Sequence, residues 1–246
     1  MTNKYMYFIA NWKMYGDLKS LNTLDNVIKF SKSKEINKGR LIYCPPYTLI
    51  SSFLKKFKNC LIDIGGQNCH ESESYGPYTG FINSRMLKNI GANYVIIGHS
   101  ENREKGENNK LINLKIKSAL KAKLKVIFCI GETTIDKRKR RTRSILSKQI
   151  KVGLSKIKNK RNVFIAYEPV WAIGTGIIPK SKDLLKTIKF IKSKFKDKSQ
   201  KVLYGGSVNP QNIKNLKEIN NIDGFLIGGS SQNSKKFIDI VKKTYS

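Results

Sequence analysis

The chain has 246 residues, with 48 Lys and Arg against 17 Asp and Glu, so its formal net charge is +31. That length suits one large domain spanning residues 1–246 better than two small ones, and no apolar run is long enough to cross a bilayer. The short apolar stretch in MTNKYMYFIANWK carries no small-residue cleavage site, which argues against a signal peptide. The four cysteines, Cys44, Cys60, Cys69 and Cys129, form no CxxC pair, and His70 is the one histidine near any of them in sequence. They are expected to be reduced thiols of a cytoplasmic protein, not metal ligands.

Most of the positive charge is lysine scattered beside Asn and Ile, a pattern that codon drift produces as readily as a partner does. Such a field would still steer small anions inward and attract nucleic acid or another polyanion. The dense run Lys137-Arg138-Lys139-Arg140-Arg141-Thr142-Arg143 carries no base-reading motif and is taken as the solvated start of a helix.

In chain order, eight apolar bursts read as strands: Tyr7–Ala10, Leu41–Tyr43, Leu61–Ile64, Tyr94–Ile97, Val126–Ile130, Val163–Tyr167, Val202–Tyr204 and Phe225–Ile227. They are nearly unbroken apolar runs, as parallel strands covered on both faces require. Helices are predicted between them. Asp17–Phe30 has a capping Asp and puts Leu18, Leu21, Leu24 and Ile28 on one face. Leu111–Ala122 repeats Leu111, Leu114, Ala119 and Leu120. Ser144–Ile157, Leu184–Phe195, Pro210–Ile219 and Ser234–Val241 read similarly, while Gly65–Gly80 reads as a long loop with a short helix after it at Met86–Ile90. Eight strand–helix units with right-handed crossovers close into an α/β barrel. An open doubly wound sheet usually shows GxGxxG after its first strand; here Asn11-Trp12-Lys13 follows instead.

The C-terminal strand ends form a barrel's working face. Asn11 and Lys13 follow the first burst, His99, Ser100 and Glu101 the fourth, Gly131 and Glu132 the fifth, and Glu168 the sixth. Gly205-Gly206-Ser207 and Gly228-Gly229-Ser230 follow the last two. Each feature alone has an ordinary reading: a surface lysine, a structural histidine, a pair of turns. Together they place one acid, one imidazole, one cation and unpaired backbone N–H groups at a single mouth. The glycine turns suit a phosphate. Glu168, beside Pro169 in a segment free of other charges, suits a partly desolvated proton acceptor. Pro169–Gly176 reads as an apolar lid that excludes water. GxSxG is absent, so serine-nucleophile chemistry is not expected.

Four segments carry a resemblance over nearly the whole chain: Asn11-Trp12-Lys13, Gly98-His99-Ser100-Glu101-Asn102-Arg103, Ala166-Tyr167-Glu168-Pro169-Val170-Trp171-Ala172-Ile173-Gly174-Thr175-Gly176 and Tyr204-Gly205-Gly206-Ser207-Val208. The chain resembles the triosephosphate isomerase family, which also serves as a standard illustration of this barrel and of tuned catalytic groups. The resemblance implies a TIM barrel that interconverts dihydroxyacetone phosphate and D-glyceraldehyde 3-phosphate in glycolysis and gluconeogenesis, through an enediolate, with no metal and no cofactor. It implies Glu168 as the base, His99 as the polarising imidazole, Lys13 as the cation with Asn11 beside it, and Ser100 and Glu101 in support. It implies Gly174, Ser207, Gly228 and Gly229 as phosphate donors. It also implies a homodimer in which Gly76-Pro77-Tyr78-Thr79-Gly80 reaches into the partner near Met14, with Gln67 and Asn68 matching. Against the family pattern stand Phe81, Asn102, the lid exit Ile177-Ile178-Pro179, Ser230-Ser231-Gln232 and the basic start of the fifth helix. The competing expectations are a different phosphosugar isomerase or epimerase, and a basic barrel that binds nucleic acid.

Overall fold

The computed structural model describes residues 4–33, 36 and 38–246. Its strands are β1 Met6–Asn11, β2 Gly39–Cys44, β3 Ile62–Gly66, β4 Tyr94–Ile97, β5 Lys125–Ile130, β6 Val163–Tyr167, β7 Val202–Tyr204 and β8 Gly224–Ile227. They pair in sequence order, and β1 pairs with β8 to close the barrel. All pairings are parallel. Closure rules out the open doubly wound sheet.

Alternation along each strand divides the apolar residues in two. Ile9, Ile42, Ile96, Ile127, Ala166, Leu203 and Leu226 fill the barrel interior. Phe8, Tyr43, Val95, Phe128, Ile165 and Phe225 face outward and join the larger core beneath the helices. Such burial contributes roughly 1.5–3 kcal/mol per large side chain. It also holds the strand ends rigid enough to carry a site. At the far end of the barrel Tyr7 and Tyr94 both meet Phe164 edge-on, and Arg40 forks onto the buried Asp63 at 2.6 and 3.1 Å.

The outer α-helices are α1 Asp25–Ser31, α2 Ile50–Lys56, α3 Ser84–Asn89, α4 Ser100–Glu104, α5 Asn109–Lys121, α6 Thr134–Arg138, α7 Thr142–Gly153, α8 Ser181–Lys192, α9 Ile213–Lys217 and α10 Ser234–Tyr245. None is long and apolar enough to cross a membrane.

Several expectations are corrected. Asp17 does cap, in a capping box with Ser20, but it opens a 3-10 helix at Leu18–Leu24 that passes into α1. Leu18 is therefore exposed, and Leu24, Val27 and Phe30 form the buried stripe. On α5 the stripe runs through Ile112, Ile116 and Ala119, which leaves Leu114 half exposed. Leu61 lies outside β3 and is exposed. Gly65, assigned to a loop, instead ends β3 with Gly66 and pairs with Tyr94. A Cβ on Gly65 would sit 2.8 Å from Cys44 Sγ, so a glycine lets the sheet close there. Helices α2, α4 and α6 lie outside the expected set. The basic run is not the start of one helix: it ends α6, turns at Arg140 with φ 54°, and enters α7.

Candidate active site

Glu168 follows β6 and is 3% exposed. Its backbone amide donates to Ile130 O, and Val170 N donates to Glu132 O, so the chain beyond β6 stays laced to the end of β5. Two glycines permit this seat. A Cβ on Gly131 would lie 1.8 Å from the Glu168 carbonyl oxygen, and one on Gly205 would lie 2.8 Å from its Cγ. The carboxylate Oε1 lies 3.3 Å from His99 Nε2, while Oε2 is buried with no hydrogen-bond partner. A buried acceptor with no partner is costly in stability and is free to receive a proton.

His99 caps α4, and its Nδ1 accepts the amide N–H of Glu101 at 3.3 Å. A neutral imidazole that accepts at Nδ1 carries its proton on Nε2. That N–H faces the carboxylate and the cavity.

Lys13 follows β1 in the left-handed region, at φ 57°. Its amide donates to Asn11 Oδ1 at 3.1 Å, and its carbonyl accepts from Gln67 Nε2 at 2.8 Å. The same Gln67 amide bonds Cys44 O. Lys13 Nζ donates to Glu101 Oε1 at 2.7 Å. Burial raises the Glu101 pKa, but the Lys13 hydrogen bond, with the Lys13 and Lys105 charges, outweighs it and holds the carboxyl below its ordinary value. Ser100 is buried behind His99.

The expected phosphate donors converge on the same mouth. A cavity of about 230 Å³ is lined by Asn11, Lys13, His99, Glu168, Gly174, Ser207, Gly228 and Gly229. That is smaller than the roughly 300–1,000 Å³ of drug-sized sites and fits a small ligand. Gly229 opens a 3-10 helix at Gly229–Gln232, whose first amides lack intrahelical acceptors. Ser207 is placed differently from expectation. Its amide donates to Ala172 O at 3.1 Å and its hydroxyl to the same oxygen at 2.7 Å. A lid carbonyl thus already occupies the donors expected for phosphate.

Gly174 to Ile177 of the lid are exposed, with positive φ at Gly174 and Gly176, and Ile173, Gly174 and Gly176 line the cavity. The base of the lid is anchored. Trp171, on the 3-10 turn Val170–Ala172, donates its indole N–H to Glu132 Oε1 at 3.0 Å. Tyr167 OH lies 3.1 and 3.2 Å from the two Glu132 oxygens. Burial raises the Glu132 pKa, partly offset by the Trp171 and Tyr167 bonds and by Lys137.

The remaining candidates lie nearby or apart. Gly76, Thr79 and Met14 are exposed, and Met14 lines a neighbouring hollow with Lys13 and Glu101. Phe81 packs edge-on against His70, whose Nδ1 accepts from Ser72, so that histidine has a local structural role. Among the described residues, no group of three His, Cys, Asp or Glu could hold a metal ion.

Sequence reasoning missed three supports. Gln149 on α7 bonds both the amide and the carbonyl of Gly131 at 2.9 Å. Arg103 ties Gly98 O to Cys129 O across the ends of β4 and β5. Lys137 places Nζ 3.0 Å from the Trp171 ring centroid. A buried Gln flanked by Leu146 and Ile150 was the one available signal for the first.

The triosephosphate isomerase family model matches residues 6–244. A triosephosphate isomerase of Thermodesulfovibrio yellowstonii is 41% identical over 96% of this chain and 98% of its own length. One from Wolbachia pipientis is 39% identical over 96% and 92%. The crystal structure of triosephosphate isomerase from Bartonella henselae superposes with a TM-score of 0.89 at 34% identity, over 98% of this chain and 100% of that one.

Proposed function

The chain belongs to the triosephosphate isomerase family, and we propose that within its reaction Glu168 carries a proton between the two carbons while His99 serves the two oxygens. The reaction itself interconverts dihydroxyacetone phosphate and D-glyceraldehyde 3-phosphate in glycolysis. It is an aldose–ketose isomerisation. The observation that carries the assignment of roles is the buried, unpartnered Oε2 of Glu168 close to His99 Nε2, in a cavity sized for a small ligand.

The Glu168 carboxylate takes the proton from the carbon bearing the hydroxyl. The electron pair moves to the carbonyl oxygen and gives an enediolate. His99 Nε2–H donates to that oxygen, then recovers a proton from the neighbouring one. Glu168 returns its proton to the adjacent carbon. Protons balance and no electrons are exchanged with an outside group. Lys13 would stabilise the negative charge that develops on the enediolate. Asn11 positions Lys13 by fixing its amide. Ser100 and Glu101 support His99 and Lys13. Gly174, Ser207, Gly228 and Gly229 would receive the phosphate.

Coupled assays with glyceraldehyde 3-phosphate and with a pentose phosphate test the reading. Fast turnover of the triose and none of the pentose is expected; the reverse preference would give the site to another phosphosugar isomerase.

The working unit proposed is a homodimer of single-domain chains. The exposed loop 76–80 and a hollow of about 380 Å³ lined by Met14, His70, Phe81 and Glu101 lie on one face. A two-fold axis would let each loop fill the other chain's hollow. Sedimentation at micromolar concentration is expected to give twice the 28.1 kDa chain mass; a 28.1 kDa species would remove the dimer. The reading also places the enzyme in the cytoplasm, where its four thiols stay reduced.

A further inference from the structure

The excess positive charge is not spread evenly over the barrel. The loop 154–162, between α7 and β6, carries Lys156, Lys158, Lys160 and Arg161 and no acid. The loop 193–201, between α8 and β7, carries Lys194, Lys196, Lys198 and Lys201 against Asp197 alone. On the catalytic face the segment 98–108, between β4 and α5, sets Glu101, Glu104 and Glu107 against Arg103 and Lys105. Codon drift gives lysine no reason to gather on one face. The basic run at 137–143 is the exception on the catalytic side.

The two basic loops meet. Lys158, Lys160, Arg161, Lys194, Lys196 and Phe195 line one hollow of about 710 Å³. Among the described residues, Asp197 is the one acid that lines it. Asp197 accepts the amide N–H of Ser199 at 2.8 Å, and it meets Arg161 only at 3.8 Å, where the Arg161 side chain is 80% exposed. Water screens such a pair, so the cations stay largely uncompensated. Phe195 packs against the helix-covered core and is half-buried at the wall of the hollow.

The hollow lies at the end of the barrel away from the reaction. Its loops precede Val163 of β6 and Val202 of β7, whereas Glu168 and Gly205 follow the same strands. The five residues of β6 span roughly 15 Å. A ligand here leaves the catalytic mouth open.

Cations without matching acids, around a concave surface with an aromatic wall, suit a flexible polyanion. Successive phosphates neutralise the lysines and release their counterions. An unpaired base can stack on an aromatic ring, which a base inside a duplex cannot do. An anionic bilayer would engage exposed apolar anchors beside the charge, and none of the exposed large apolar side chains lies in either loop. We propose that this hollow is a docking surface for single-stranded nucleic acid, on the face of the barrel opposite the catalytic mouth.

The test removes equal charge from two places. A labelled oligothymidylate of about 15 nucleotides is titrated with the full chain by fluorescence anisotropy at several salt concentrations. Contacts to four or five phosphates give a slope of log K on log salt of about −3. Lys158→Gln, Lys160→Gln and Arg161→Gln combined should flatten that slope by about 2 and weaken binding about 10- to 50-fold near physiological salt. Arg138→Gln, Arg140→Gln and Arg141→Gln combined take the same charge from the basic run, and should cost less than about threefold with the slope kept. Phe195→Leu should weaken binding about tenfold at an unchanged slope, and Phe195→Tyr should restore it. Both triple variants should isomerise triose phosphate as the parent does, which shows that they are folded.

Equal losses in the two triple variants would mean that net charge binds the strand wherever it sits, and would overturn the proposal. So would a Phe195→Leu variant that binds as the parent does, or no saturable binding by the parent at micromolar concentration. Tighter binding to a duplex of the same length, or to vesicles containing phosphatidylserine, would overturn it as well.

Discussion

Glu168→Gln lowers kcat by about 10²- to 10⁴-fold, the range a positioned proton-transfer group supplies, and the upper end is expected because this carboxylate makes both transfers. The substitution isolates the chemistry. Glutamine has the same shape, so the seat formed by Gly131 and Gly205 is kept. Its side-chain oxygen keeps the place of Oε1, which lies 3.3 Å from His99 Nε2 in the parent. What is lost is a group that can take up a proton at Oε2. Substrate binding depends on Lys13 and the backbone donors, so KM should stay within a few-fold. The measurement is the steady-state coupled assay, with circular dichroism to confirm the fold. A kcat within tenfold of the parent would remove Glu168 as the base.

Lys13→Met has the second large effect. Its Nζ bonds Glu101 and lines the cavity. Two unit charges 4 Å apart interact by about 4 kcal/mol at an effective dielectric of about 20, so kcat/KM should fall on the order of 10³-fold. Both parts of the ratio should move. KM rises because the phosphate loses a counter-charge, and kcat falls because the enediolate does. The left-handed backbone at residue 13 is held by Asn11 and Gln67 and carries over to the variant. A loss confined to KM would make Lys13 a binding residue only.

The same variant has a smaller signature in stability. Glu101 has a lowered folded pKa despite burial, and Lys13 is the main cause of the lowering. A carboxyl whose folded value lies below its unfolded value adds stability above the unfolded pKa and loses it as pH falls through the folded one. The difference in Tm between parent and Lys13→Met should therefore shrink as pH drops through and below the ordinary glutamate range. The Glu101 side chain is 53% exposed, so solvent screening keeps this difference small.

The barrel was legible because a strand covered on both faces writes itself as an unbroken apolar run, and every burst overlaps a strand, with only Leu61 falling outside. Glu168, His99 and Lys13 were legible because strand ends define the working face, so position along the chain fixes position in the fold. Helix faces were harder. Leu111 and Leu114 have helical spacing, yet the stripe that packs is Ile112, Ile116 and Ala119, one residue away in phase. Apolar residues on both stripes give the period without the direction. The contacts that position the site were not legible at all. Gln149 reaches Gly131 across 18 residues, Ser207 reaches Ala172 across 35, and Lys137 meets Trp171 from helix α6. Each is a pairing of ordinary residues that only closure of the barrel brings together.

The most direct test of the central claim is isomerisation of dihydroxyacetone phosphate in D₂O, with the product read by NMR. A carboxylic acid formed at Glu168 exchanges with solvent during the life of the enediolate. The account predicts deuterium on the carbon of glyceraldehyde 3-phosphate that receives the proton, in a substantial fraction of the product. Complete retention of the original hydrogen, as an internal hydride shift would give, would contradict it.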